Sequence, residues 1–208
     1  MKNKDLELEM AHSHAVSEAL QTMLGKRGEV SARSYVALAY LNMALDHREA
    51  ILLLVGVGAF SSATALQRPL LEAAITGLWV ESCATDTQVE EIRRIERPPP
   101  KFDVAARKLI QSHDFGKWIE IFRGHYKIFN DYTHGNERQL SRWLRSGTAG
   151  PCYDIRQMIE TLHHTDLVGL LAAVQREKIL DRPVLNLSAL MESVLERSRL
   201  AQMASQEQ

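Results

Sequence analysis

Between Ala50 and Val80 the chain carries only two charged residues, Arg68 and Glu72. A stretch that long with so little charge points to burial, in a protein core or in lipid. Its first part, Ala50–Gln67, has no charge over 18 residues, near the lower limit for a membrane span. Gly56, Gly58, Ser61, Ser62 and Thr64 lower its hydrophobicity, and Arg68 ends it without an interfacial aromatic belt. It therefore reads as a buried central helix, and no membrane partner is expected. The N-terminal MKNKDLELEMAHSH has no apolar segment of the signal-peptide kind, so a cytoplasmic protein is expected.

The rest of the chain is consistent with an all-helical fold. Helix formers dominate throughout, and β-branched or aromatic runs of period two are missing. Helices are predicted over Leu6–Leu24, over Arg33–Val57 with Ser31 as N-cap, and from Ser61 or Ser62 to about Cys83, with a kink or restart at Pro69. Arg97-Pro98-Pro99-Pro100 breaks the chain. Further helices are expected over Phe102–Ser112, Asp114–His134, Arg138–Arg145, Asp154–Lys178 and Ser188–Met203. The proline break is too short for an interdomain linker. The expectation is one all-α domain over residues 1–208, an antiparallel helical bundle of about four long helices with short ones between them.

Composition limits function only broadly. A formal net charge of −1 over 208 residues argues against a protein built wholly around nucleic acid, though a local basic patch is compatible with it. Two cysteines, Cys83 and Cys152, have no CxxC spacing and indicate neither a zinc ribbon nor a disulfide scaffold. No cofactor is implied.

Two stretches hold the candidate chemistry. Arg68 and Glu72 lie i, i+4 on a helix that is apolar nearly all round. A buried charge needs a partner. One alternative is a mutual ion pair joined by His47 or Glu49 that fixes helix register; the other is that the pair lines a pocket. The second stretch is Trp118–His134. As a helix it gathers Trp118, Ile121, Phe122, Ile128, Phe129 and Tyr132 on one face, and sets Arg123, Lys127, Asn130 and His134 in a polar stripe on another. Beyond it, Arg138, Arg142 and Arg145 make a basic patch in which Trp143 can stack on a base.

The blocks SSATALQRPLLEAAITGLW (Ser61–Trp79) and FNDYTHGNERQL (Phe129–Leu140) resemble uncharacterised bacterial helical proteins with RPLLEA-like and YTHG-like blocks. A more distant resemblance is to the HEPN superfamily of helical bundles, many of them dimeric ribonucleases of toxin and phage-defence systems. Their motif is an Arg, commonly followed by Asn, with His four to six residues after the Arg. Asn130-x-x-x-His134 matches its second half, whereas Phe129 stands at the arginine position and Lys127 and Arg123 are the nearest upstream cations. The resemblance implies an HEPN-like homodimer, with RNA or a second protein of the same operon as candidate partners.

Two functions follow. In the first, the chain is a non-catalytic binding or dimerisation module that keeps the fold without the arginine. In the second, it is a metal-independent ribonuclease. His134 would be the general acid/base, Lys127 or Arg123 would stabilise the phosphorane, Asn130 would orient the imidazole, and Arg68, Glu72, Arg138, Arg142 and Trp143 would contact substrate. A third pattern, Asp131-x-x-His134 and Glu160-x-x-His163 with Glu49 and Glu72, imitates a carboxylate-bridged metal site but departs from the usual ligand order. The two neighbours His163 and His164 are expected to leave at least one ring on the exposed side of their helix.

Overall fold

The computed structural model describes residues 3–22, 30–112, 116–133, 137–145, 148–149 and 152–206. The fold is all-α. Its helices are α1 (Asn3–Thr22), α2 (Ala32–Gly56), α3 (Phe60–Ala65), α4 (Gln67–Ser82), α5 (Asp86–Arg93), α6 (Phe102–Ser112), α7 (Gly116–Thr133), α8 (Glu137–Ser141), α9 (Ile155–Ile179) and α10 (Leu185–Gln206). A two-residue antiparallel ladder pairs Leu144–Arg145 with Thr148–Ala149 after α8. Among the described residues, no helix is long and apolar enough to cross a membrane.

Local sequence explains several boundaries. Ser31 caps α2, its Oγ accepting from the Ser34 amide at 3.1 Å. Thr85 with Gln88, and Asp154 with Gln157, form capping boxes that open α5 and α9. The charge-free segment is not one helix. It ends α2 at Gly56, turns through Gly58 at φ 77°, forms α3 and restarts at α4. Only glycine takes that turn without strain. The restart falls at Gln67 rather than at Pro69, which lies in the first turn of α4, where its missing N–H costs no helical bond. Ser61 and Ser62 do not cap α3. Ala59 holds that position without a side-chain cap bond, and the Ser61 hydroxyl is used elsewhere.

Helix α4 is the centre of the bundle. From Leu70 to Val80 every residue except Glu72 is buried, against α2 on one side and α6, α7 and α9 on others. Gly77 permits the α2 contact: a Cβ there would lie 2.8 Å from Leu41 Cδ2 and 3.2 Å from the Ala37 carbonyl oxygen. Helix α9 is nearly as enclosed, with α1 and α10 packed on its far side. Leu187 and Val194 of α10 are buried beside Val16 and Leu170, so the last helix folds back on its own bundle.

Several buried charges escaped the sequence reading, among them Arg48, Asp166, Arg176 and Glu177. Arg48 of α2 is fully buried and donates to Asp166 Oδ1 of α9 through Nη2 at 2.7 Å, to the Ser13 carbonyl of α1 at 2.7 Å and to Ser17 Oγ at 2.7 Å. Glu49 closes this network through Ser17 and Arg48, and so does not join Arg68 and Glu72. Gly169 makes room for the guanidinium stem, since a Cβ there would stand 2.5 Å from Arg48 Cδ.

Candidate functional site: a cavity on the aromatic face of α7

Helix α7 carries two working faces. Ile119, Tyr126, Asn130 and Thr133 turn toward α3, α4 and α6. Ile119 is buried, and Tyr126 stacks on Phe102 with ring centroids 3.9 Å apart. Phe122 is buried with its ring against His164 of α9. Thr133 Oγ1 donates to the Ala65 carbonyl at 3.1 Å. On this face the two sequence blocks meet. Arg68 donates to Asn130 Oδ1 at 2.6 Å and to Glu72 Oε1 at 2.9 Å, and the Tyr126 hydroxyl donates to the same Glu72 oxygen at 2.6 Å. Burial, with the Glu72 hydrogen bond and charge, pushes the Tyr126 hydroxyl up to about 12. Burial opposes the Arg68 charge, but Glu72 outweighs it and raises its pKa. Arg68 and Glu72 thus form the expected i, i+4 pair, with Tyr126 and Asn130 as the joining residues.

The second face runs Trp118, Ile121, His125, Ile128, Phe129 and Tyr132, at i, i+3, i+7, i+10, i+11 and i+14. It does not close onto a solid core. With α9 and α10 it borders a cavity of about 580 Å³, a size that accommodates a small organic molecule. Ile121 is 52% exposed, showing that this aromatic face is only partly covered. From α9 the wall includes Thr161 and His164, from α4 Gln67, and from the segments around α8 and before α9 Arg142 and Tyr153. The Tyr153 hydroxyl lies 3.0 Å from Ser61 Oγ, and the Trp143 indole N–H donates to the same oxygen at 2.9 Å. Cys152 N donates to the Arg142 carbonyl at 2.7 Å, which ties these two wall segments together.

His164 is the chemically distinctive group of the cavity. Its ring is packed edge-to-face against Phe129 at 4.5 Å, Phe122 at 5.4 Å and His125 at 5.7 Å between centroids. Burial, helped by His125, depresses its pKa to about 3, so the imidazole is neutral at ordinary pH. Its Nδ1 lies 2.8 Å from Gln67 Oε1, while its Nε2 is shut off from solvent without a hydrogen-bond partner among the described residues. His163 points the other way. It is buried and lies 3.0 Å from Glu9 of α1. Neither histidine therefore occupies the exposed side of α9 that the sequence suggested. The enclosed α9 has little solvent side at this level.

The residues proposed from sequence are distributed differently from the predicted stripe. Lys127 and Arg123 are exposed, and Arg123 lies 3.7 Å from Asp103 of α6. Asn130 has left the stripe for Arg68. Arg142 lines the cavity and Trp143 is anchored beside it. His134 and the Arg138 side chain lie outside the described residues. Glu49, Glu72 and His163 belong to three separate networks, so the carboxylate–histidine pattern does not assemble. Among the described residues no group of three His, Cys, Asp or Glu stands close enough to hold a metal ion. His125 and His164 were missed. His125 had a legible signal, since it sits in the middle of the aromatic face of α7.

An all-α bundle with a polar-studded aromatic cavity defines the class of molecule. The chain belongs to a family of unknown function, DUF6988, whose model matches residues 41–194. That span includes α4, α7 and the whole of α9, and hence most of the cavity wall. No curated protein and no solved structure matches the chain.

Proposed function

We propose that the protein is a non-catalytic binding module whose site is the cavity between α7, α9 and α10. The observation that carries this reading is the cavity itself, about 580 Å³ and walled by Trp118, Phe122, Phe129, Tyr132 and Tyr153, a size and lining that suit a small apolar or aromatic molecule. An apolar ligand held there gains by leaving water and by covering the partly exposed face of α7 at Ile121. Lys127 and Arg123, the cations a nuclease would need beside His134, lie in solvent on another side of α7. The test is calorimetric titration with naphthalene, an apolar probe of suitable size. Saturable one-to-one binding that is abolished by Ser198→Trp, which fills the cavity from α10, supports the reading. No binding, or binding unaffected by Ser198→Trp, contradicts it.

A specific observation favours a second reading, the HEPN-type ribonuclease. Arg68 reaches Asn130 from α4 at 2.6 Å, so a guanidinium meets the residue four positions before His134 in sequence although Phe129 replaces the motif arginine. In that reading Arg68 substitutes from a different helix, and a homodimer pairs two such sites. Incubation with mixed single-stranded RNAs tests it. Cleavage lost in both His134→Ala and Arg68→Ala supports it, and the absence of cleavage by the wild type removes it.

A further inference from the structure

Helix α2 is apolar on both of its sides. Ala37, Leu41, Ala44, Ile51 and Val55 are buried in the bundle. On the opposite side Tyr35, Leu53 and Val57 are 62%, 67% and 79% exposed, and Ala39 and Met43 are exposed with them. A helix that is apolar all round is normally covered all round, yet this side is open among the described residues. The open side has a regular spacing. Tyr35, Ala39, Asn42, Asp46, half-buried Ala50 and Leu53 follow one another at steps of three or four residues, and Val57 continues the row. That is the spacing of a seam that meets a second helix lengthwise. Asn42 and Asp46 are the only polar residues in the row, and both keep hydrogen-bonding capacity in hand. Asn42 Oδ1 accepts from Arg176 Nε of α9 at 3.0 Å. A guanidinium only donates, so the oxygen is the contacting atom and the Asn42 amide hydrogens are left over. Asp46 is exposed, and its carboxylate accepts no hydrogen bond among the described residues.

We infer that this face of α2 binds a second copy of the chain, the two α2 helices packing antiparallel about a two-fold axis beside Ala44 and Leu45. Such an axis sets Tyr35 against Leu53 of the second copy, Ala39 against its Ala50 and Asn42 against its Asp46, each pairing occurring twice. Tyr35 and Leu53 stand in line along the helix, about five turns apart, and Ala39 and Ala50 nearly so, about three turns apart. One axis therefore superposes both pairs. The Asn42 amide donates to the Asp46 carboxylate of the second copy, which joins the donor and the acceptor that each chain leaves open. Parallel helices would instead set the two Asp46 carboxylates against each other, like charge on like. Ala39 and Ala50 are small enough to let the helices approach closely, while Tyr35 and Leu53 lose their exposure to water. A pattern complementary to itself selects a second copy over an unrelated helix. The seam follows the 25 residues of α2, about 37 Å at 1.5 Å per residue. A two-helix contact of that length is at the small end of specific interfaces, so association in the micromolar range is expected. The inference is independent of the cavity.

Sedimentation equilibrium of the full chain from about 1 µM to about 300 µM tests the pairing. The wild type is expected to pass from the mass of one chain to that of two. Leu53→Glu places a carboxylate against Tyr35 at both ends of the seam and is expected to raise the dissociation constant at least about tenfold. Leu53 is exposed in the single chain, so circular dichroism should show its helix content unchanged. If Leu53→Glu loses helix, Val57→Glu on the same seam takes its place. Asp46→Ala removes the acceptor for Asn42 and is expected to raise the dissociation constant about threefold to tenfold. A wild type that stays a single chain throughout the range overturns the inference. A dimer that Leu53→Glu and Val57→Glu leave unchanged overturns its placement on α2. A dimer tightened by Asp46→Ala overturns the antiparallel pairing, because relief of like charge is what parallel helices would show.

Discussion

The Arg68 guanidinium donates to the Asn130 side-chain oxygen at 2.6 Å, binding the RPLLEA block of α4 to the FNDYTHG block of α7. The bond holds one face of α7 on the bundle and so sets how the opposite face stands over the cavity.

Removing that anchor loosens α7 without unfolding the core. The Arg68 and Glu72 side chains are 22% and 37% exposed, so solvent takes over part of what the cluster loses. Arg68→Ala and Asn130→Ala are each expected to cost about 1–2 kcal/mol in urea unfolding. Lys127→Ala, an exposed change on the same helix, is expected to stay within about 0.5 kcal/mol. Equal losses from all three would mean that the contact with α4 does not govern α7.

The Arg48–Asp166 network is the most stability-critical polar feature. Arg48 has no exposure and the Asp166 side chain only 2%. Asp166→Ala leaves the buried guanidinium with only the half-exposed Glu49 carboxylate and is expected to cost about 3 kcal/mol. Gly169→Ala places a methyl group against Arg48 Cδ and is expected to cost about 1–3 kcal/mol. The penalty of Gly169→Ala should shrink when Arg48 is also shortened to Ala, because the two residues share one space. Additive losses in the double variant would show that the clash is not the cause.

Acid stability follows from His164. Its pKa falls from 6.5 to about 3 on folding because it is buried beside His125. Below about pH 6.5 the unfolded chain binds a proton that the folded protein refuses, so stability declines as pH falls through that window and levels off near pH 3. The slope from this group is up to about 1.4 kcal/mol per pH unit. Glu9 acts in the same sense at lower pH. Burial would raise its pKa, but the His163 hydrogen bond and the charges of His163 and Arg197 hold it below the usual value. Urea unfolding from pH 7 to pH 4 should therefore show a shallower decline in His164→Phe than in the wild type. Parallel curves would contradict the shift.

Much of this fold is legible because helices announce their ends. Ser31, the proline triplet and Asp154 mark boundaries that the structure keeps within a few residues. The end expected for the second helix at Val57 falls within one residue of the observed one, yet the restart of α4 at Gln67 has no comparable signal. Arg48 was hidden because Asp46, His47 and Glu49 around it look like an ordinary solvated stretch; its burial depends on Asp166, 118 residues away. The site was half legible. Periodicity set the aromatic side of α7 apart from the exposed Arg123 and Lys127 and brought Arg68 and Glu72 forward, but it grouped Asn130 with those cations although its side chain meets Arg68. It could not tell that the aromatic side fronts a cavity instead of a filled core, because that depends on how closely α9 and α10 approach.

Amide NMR of the full chain titrated with naphthalene reads the cavity residue by residue. Binding between α7, α9 and α10 shifts the amides of Ile121, His125 and Phe129 saturably and leaves those of Glu90 and Arg94 on α5 in place. No saturable shift, or equal shifts on α5 and α7, would contradict a ligand site there.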